Sequence, residues 1–285
     1  MSPFVFVLSP ERSGSTLLSV VLGAHSRVIA PPELHLLRFS TLSGWRTGWP
    51  PAQTSLEYLA RESRCDLSDL GDDSPPLAVY ERIAAALPPD KLVVDKTPAY
   101  ARETSTLERL ETLSPRYVWL IRHPLAVAAS RLPRTRRRRS ARNQESWSYR
   151  LKYPAFVARE WWRDRTGENA RQQCEYWMDV HTRIRGFLAE VEPARHHLLH
   201  YEDLVREPRA TASALARFLK LELEEAMLDP RGQAPADLRW GIGDEKVLQH
   251  SGFEVNQIDA WRARVPERHL PDAVRRFATD IGARL

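Results

Sequence analysis

Short apolar runs alternate along this chain with longer stretches of helical periodicity. Phe4–Leu8 (FVFVL), Lys91–Val94 (KLVV), Tyr117–Ile121 (YVWLI) and His196–Tyr201 (HHLLHY) each read as a strand. The patterns that follow them predict helices over Gly14–His25, Ala99–Leu113, Leu125–Leu132 and Pro208–Leu219. Longer helices are expected at Asn169–Glu190 and Pro266–Arg284. Apolar strands alternating with helices imply an α/β fold, a central parallel sheet flanked by helices on both faces. In such a sheet ligands bind beyond the C-terminal ends of the strands. The loops after these runs are therefore where chemistry should lie. No repeat or low-complexity linker divides the chain, and a single domain over 1–285 is expected.

Composition narrows the class. At 285 residues about three quarters of the unfolded surface can be buried. With 42% apolar and 28% charged residues, the chain is neither disordered, fibrous nor a membrane bundle. No apolar run approaches the ~18–20 residues that span a bilayer. The start, MSPFVFVLSPERSGS, has no basic segment or small-residue cleavage site, and reads as a first strand. Two distant cysteines, Cys65 and Cys174, offer no disulfide framework or zinc pattern, so a reducing, cytoplasmic setting is expected. The net charge of +5 favours anionic partners. The basic residues are 37 Arg and 5 Lys, and Arg suits bidentate gripping of phosphate or sulfate.

Two segments carry the candidate chemistry. After the first strand comes Ser9-Pro10-Glu11-Arg12-Ser13-Gly14-Ser15-Thr16-Leu17. A strand, a small-residue turn and a helix start place free backbone N–H groups around an anion. Gly14 permits close approach, the hydroxyls of Ser13, Ser15 and Thr16 add donors, and Arg12 adds charge. No Lys precedes Ser15 or Thr16, so this is not a Walker A loop. The plainer alternative is a capped helix with Ser13 as N-cap. Later, the strand Tyr117–Ile121 ends in Arg122-His123-Pro124, with Ser130 eight residues after Arg122. Pro124 suits a first helical position, and Arg122 and Ser130 could together grip one phosphate. The alternative is an Arg at a strand end and a Ser bonding its own helix.

Together the two segments resemble the sulfotransferase family, enzymes that use 3′-phosphoadenosine 5′-phosphosulfate (PAPS). Arg12-Ser13-Gly14-Ser15-Thr16 is similar to that family's 5′-phosphosulfate loop. Arg122, Pro124 and Ser130 are similar to its 3′-phosphate motif. Tyr201-Glu202-Asp203-Leu204 looks like a segment whose Tyr lies near the nucleotide, and Gly243-Asp244-x-Lys246 like a late loop that closes over it. The resemblance implies a P-loop-like sheet, PAPS as donor and 3′,5′-bisphosphoadenosine (PAP) as product. It implies donor binding by Arg12, Ser13, Gly14, Ser15, Thr16, Leu17, Arg122, Ser130, Tyr201, Gly243 and Lys246. One departure is Glu11, where Pro is usual.

Sulfuryl transfer needs a group to take the acceptor proton, and groups to hold the sulfuryl oxygens and the leaving phosphate. Glu33 is the candidate base. It lies 21 residues beyond Arg12, the spacing of a catalytic Glu in tyrosylprotein sulfotransferases, whose first helix also ends in Ala-His. The alternative is a capping Glu after Pro31-Pro32. His35 is an alternative base or a binding residue, and His250 could face the site from the late loop. Lys96, in Asp95-Lys96-Thr97-Pro98, resembles a Lys that stabilises charge on the transferring group, a task Arg12 would share. The segment Pro31–Leu37 is similar to sulfotransferase domains of bacterial polyketide synthases, which act on a hydroxyl of a carrier-tethered acyl chain. The expected acceptor is thus a hydroxyl or amine of a small molecule or a tethered natural product. The run Arg134–Arg142 could dock an acidic carrier protein, be a flap, or be a solvated loop. Neither a nucleic-acid nor a membrane partner is expected, and no metal. The rival readings are a small-molecule kinase with an atypical phosphate loop and a non-catalytic polyanion-binding protein.

Overall fold

A computed structural model describes residues 2–132, 158–229 and 253–285. Five strands form one sheet: β1 (Phe4–Leu8), β2 (Val28–Ile29), β3 (Leu92–Asp95), β4 (Arg116–Ile121) and β5 (His196–His200). The order is β2-β3-β1-β4-β5 and every pair is parallel. β1 is central, in register with β3 (Phe6 opposite Asp95) and with β4 (Leu8 opposite Trp119). The chain leaves β1 to one side for β2 and β3, then crosses to the other for β4 and β5. That reversal beside β1 creates the crevice where such sheets bind ligands.

The alternation within β1 explains the layers. Phe4, Phe6 and Leu8 join one core with α3 (Ala52–Ser63), α4 (Leu77–Ala86), α5 (Thr104–Glu111) and α8 (Glu168–Leu188). Val5 and Val7 join the opposite core with α1 (Ser15–Gly23), α9 (Tyr201–Arg206) and α10 (Pro208–Leu219). All five β1 residues are buried, so the strand reads as an unbroken apolar run rather than an alternating one. A third cluster packs α6 (residues 124–132) against Trp177 of α8, which α7 (residues 158–165) precedes, and against Trp261 and Val274.

Two helices are shorter than their periodicity predicts. The stretch 99–113 divides at Glu103, whose backbone is extended (φ −133°, ψ 127°), into a 3-10 turn at Pro98–Arg102 and α5. Thr104, Ser105 and Thr106 after it favour helix starts over interiors. The C-terminal helix covers only Asp272–Asp280, because Pro271 is extended (φ −63°, ψ 143°) and Gly282 adopts φ +74°. Between β2 and β3 the structure adds α2 (Leu42–Gly48), α3 and α4, elements that the sequence patterning does not announce. Among the described residues no helix is long and apolar enough to cross a membrane.

Candidate active site

The loop after β1 turns through two left-handed residues, Arg12 (φ +75°) and Gly14 (φ +90°). Gly14 is the residue at the N-cap position of α1, and no side chain caps the helix. The reading of Ser13 as a capping residue is therefore not how the loop folds. Ser13 is wholly buried and its hydroxyl has no hydrogen-bond partner, like that of Ser9 at the end of β1. Uncapped N–H groups, a positive helix end and an unpartnered hydroxyl make a site for an oxyanion.

Arg122, at the end of β4, reaches this loop. Its Nη1 donates to the Arg12 carbonyl at 3.3 Å and its Nη2 to the Gln257 carbonyl at 3.2 Å. The guanidinium lies 4.1 Å from the centre of the Tyr201 ring, and its Nε is buried without a partner. Ser130, on α6, accepts from Arg12 Nε at 2.9 Å. Tyr201, the first residue after β5, sits against Gly14 so closely that an added Cβ would fall 2.2 Å from its ring. The two predicted anion anchors thus lie together at one end of the sheet, joined by Arg12–Ser130 and by the Tyr201 ring. Neighbouring Glu202 accepts from the backbone N–H of His123 at 2.9 Å, and burial pushes its carboxyl above the usual range.

Glu11 turns away from the anion loop. Its carboxylate pairs with Arg102 and Arg131 and accepts from the Tyr176 hydroxyl. Arg131 also lies over the Tyr176 ring, 3.8 Å from its centre. An acid in an anion-binding loop is tolerable here because two cations offset it.

The third group forms where β2 and β3 end. Lys96 Nζ donates to Glu33 Oε1 at 2.9 Å, and Glu33 Oε2 lies 3.1 Å from His35 Nε2. Lys96 is almost fully buried, while the Glu33 side chain keeps 23% exposure. Burial alone would raise the Glu33 carboxyl. The ammonium of Lys96 and the His35 hydrogen bond outweigh it and hold the group at about 2. His35 Nε2 donates to that carboxylate, which leaves Nδ1 as its acceptor atom. Nδ1 faces Arg38 Nη1 at 3.5 Å, and the ring lies against Trp49 at a 31° tilt with 3.9 Å between centres. His35 Nδ1 is thereby turned from the carboxylate toward Arg38.

The chain carrying Glu33 and His35 is irregular, yet four of its backbone polar groups are engaged by side chains. Trp49 Nε1 donates to the Glu33 carbonyl at 3.1 Å and Trp45 Nε1 to the Leu34 carbonyl at 2.6 Å. Thr97 Oγ1 accepts from the N–H groups of Leu34 (3.1 Å) and His35 (3.4 Å). Thr97 in turn donates to Asp95 Oδ1 at 2.7 Å, and Asp95 Oδ2 accepts from Tyr80 (2.6 Å) and Tyr100 (3.1 Å). Trp45, Trp49 and Thr97 carry no motif; the two tryptophans four residues apart are the one hint of a shared face. Gly243, Lys246, His250 and the run Arg134–Arg142 lie outside the described residues.

The central strand of the parallel sheet thus leads into an uncapped loop suited to an oxyanion, and a lysine–carboxylate pair lies at the adjoining strand ends. The family model for the sulfotransferase family matches residues 3–225, and the chain belongs to that family. It is a sulfotransferase enzyme that takes its sulfuryl group from a donor. The sulfotransferase domain from the curacin biosynthetic pathway is 30% identical, with a TM-score of 0.75 over 99% of this chain and 98% of that one. The sulfotransferase domain of the Synechococcus PCC 7002 olefin synthase is 26% identical, with a TM-score of 0.70 over 99% and 95%. Nodulation protein NoeE of Sinorhizobium fredii (strain NBRC 101917 / NGR234) is 34% identical over 131 residues, 44% of this chain. That match spans 30% of the NoeE chain, under a third of its length.

Proposed function

We propose that this chain transfers the sulfuryl group of PAPS to a hydroxyl or amine of a natural-product acceptor, free or carrier-tethered. A natural-product acceptor draws support from the curacin-pathway and olefin-synthase neighbours. The observation that carries the reading is the Lys96–Glu33 pair, set at the same sheet end as the two anion anchors. The unpartnered Ser13 hydroxyl and Arg122 Nε suit the anionic ends of such a donor. In this reading Arg12 and residues 13–17 hold the 5′-phosphosulfate, while Arg122 and Ser130 hold the 3′-phosphate beside Tyr201. PAPS supplies the sulfuryl group; the charge work belongs to the chain's own residues. Glu33 accepts the acceptor's proton as its oxygen or nitrogen bonds to sulfur and the sulfur–oxygen bond to the 5′-phosphate breaks. Lys96 and Arg12 offset the negative charge on the sulfuryl group and the leaving phosphate.

A carboxylate at about 2 is ionised at neutral pH, as a base must be, but it is a weak base while Lys96 is bound to it. When Lys96 turns to the sulfuryl oxygens, Glu33 regains basicity where the proton is released. The free enzyme should therefore show no carboxylate limb near neutrality. The kcat/KM profile should stay level toward acid until pH falls below the ordinary carboxylate range. An acidic limb near pH 6 to 7 traced to Glu33 would contradict this.

Thermal unfolding tests the donor. PAP should stabilise the protein and ATP should not. A ligand at about 100 times its Kd adds ~2.7 kcal/mol, several degrees in Tm for a chain of this size. Stabilisation by ATP alone would support the kinase reading, and mass spectrometry of acceptors incubated with PAPS should find one added sulfuryl group.

A further inference from the structure

We propose that Thr97 is a positioning residue for transfer, holding the Glu33–His35 backbone against the strand end that carries Lys96. The inference rests on Glu33 being the base. Glu33 belongs to the irregular stretch after β2, and Lys96 follows β3 directly, 63 positions later in the chain. A 2.9 Å contact between them needs the two backbones fixed relative to one another, and Thr97 is the side chain that does so. Its hydroxyl uses its full capacity, donating once to Asp95 and accepting twice, from Leu34 and His35. Those two N–H groups belong to the two residues that follow Glu33, so their position sets where the carboxylate starts.

The direction of these bonds is set from below. Asp95, buried under Tyr80, Tyr100 and Thr97, takes the hydroxyl hydrogen and leaves the Thr97 lone pairs to face the loop. His35 itself is held at φ +56°, a left-handed conformation that favours glycine and that the surroundings must impose. Without the Thr97 hydroxyl, two buried N–H groups lose their acceptor. The loop then relaxes and the Lys96–Glu33–His35 geometry loosens.

The test compares Thr97→Val, which keeps the shape, with Thr97→Ser, which keeps the hydroxyl. In Thr97→Val, kcat should fall about 10-fold or more, since displacements near 1 Å at a reacting group can cost that much. The donor KM and the PAP-induced Tm shift should stay at wild-type values, and Thr97→Ser should restore most of kcat. The acidic limb should move up toward the ordinary carboxylate range as Glu33 loses Lys96 and His35. A role in folding alone would lower Tm without this split between kcat and KM. Should Thr97→Val fold poorly, Thr97→Ala removes the same hydroxyl with no added bulk. Wild-type kcat in the folded Val or Ala variant would overturn the proposal, as would equal losses in Ser and Val. Glu33→Gln in parallel separates the two ideas. If Glu33→Gln is inactive and Thr97→Val is normal, only the positioning role fails. If Glu33→Gln is active, the base assignment fails and the positioning role with it.

Discussion

Glu33→Gln should lower kcat by about 10²–10⁴-fold, the range for loss of a general base, while PAP still shifts Tm as it does in the wild type. Gln preserves the length and planarity of the side chain, and its amide oxygen can still accept from Lys96 Nζ, now 2.9 Å from Oε1. The amide cannot take a proton from an incoming hydroxyl. The proposed donor anchors at Arg12–Leu17, Arg122 and Ser130 lie on the loop after β1 and the start of α1, at the end of β4 and on α6, so PAP binding has no reason to change. Some stability should be lost, because Lys96 is nearly fully buried and would lose its counter-charge. Turnover is therefore read well below the variant's own Tm. Wild-type turnover would remove Glu33 from the role. His35 would then be tested by His35→Gln, against the geometry that turns its Nδ1 toward Arg38.

The parts legible in the sequence are those where one strong local rule operates. Phe4–Leu8 is matched residue for residue because a strand buried on both faces must be apolar throughout. Pro208–Leu219 is matched because Pro opens the helix and Lys220 ends it in a left-handed turn. The anion loop and Arg122 stand out because Arg, Ser and Gly crowd onto predicted strand ends. The Glu33 environment does not stand out. Trp45 and Trp49 reach carbonyls 11 and 16 residues away through side-chain N–H groups, and Thr97 bonds N–H groups 62 and 63 residues away. Such bonds follow no period. Glu11 is the opposite case: in sequence it looks misplaced within a basic loop. Its explanation lies in Arg102, Arg131 and Tyr176, brought together from three different elements, the 3-10 turn after β3, α6 and α8.

Gly14→Ala should largely abolish donor binding and should lower Tm, and its two causes can be separated. The first is conformational. At φ +90° a residue with Cβ is strained by roughly 1–2 kcal/mol. Relaxing φ would swing the first N–H groups of α1 away from the oxyanion they are to hold. The second is steric. The new methyl would sit 2.2 Å from the Tyr201 ring and would have to displace it. Tyr201 cannot move alone, because the Arg122 guanidinium is stacked on it and also bonds the Arg12 carbonyl. One methyl therefore disturbs both anchors. The PAP-induced Tm shift should shrink toward zero in Gly14→Ala. In the double variant Gly14→Ala/Tyr201→Ala the clash is gone, and part of the lost Tm should return. The PAP shift should stay small, because the loop conformation and the ring under Arg122 are both still compromised. A Gly14→Ala protein with an undiminished PAP response would mean that the loop after β1 does not contact the donor's 5′ end. The assignment of Arg12–Leu17 would then fall while the Glu33–Lys96 pair stood unaffected.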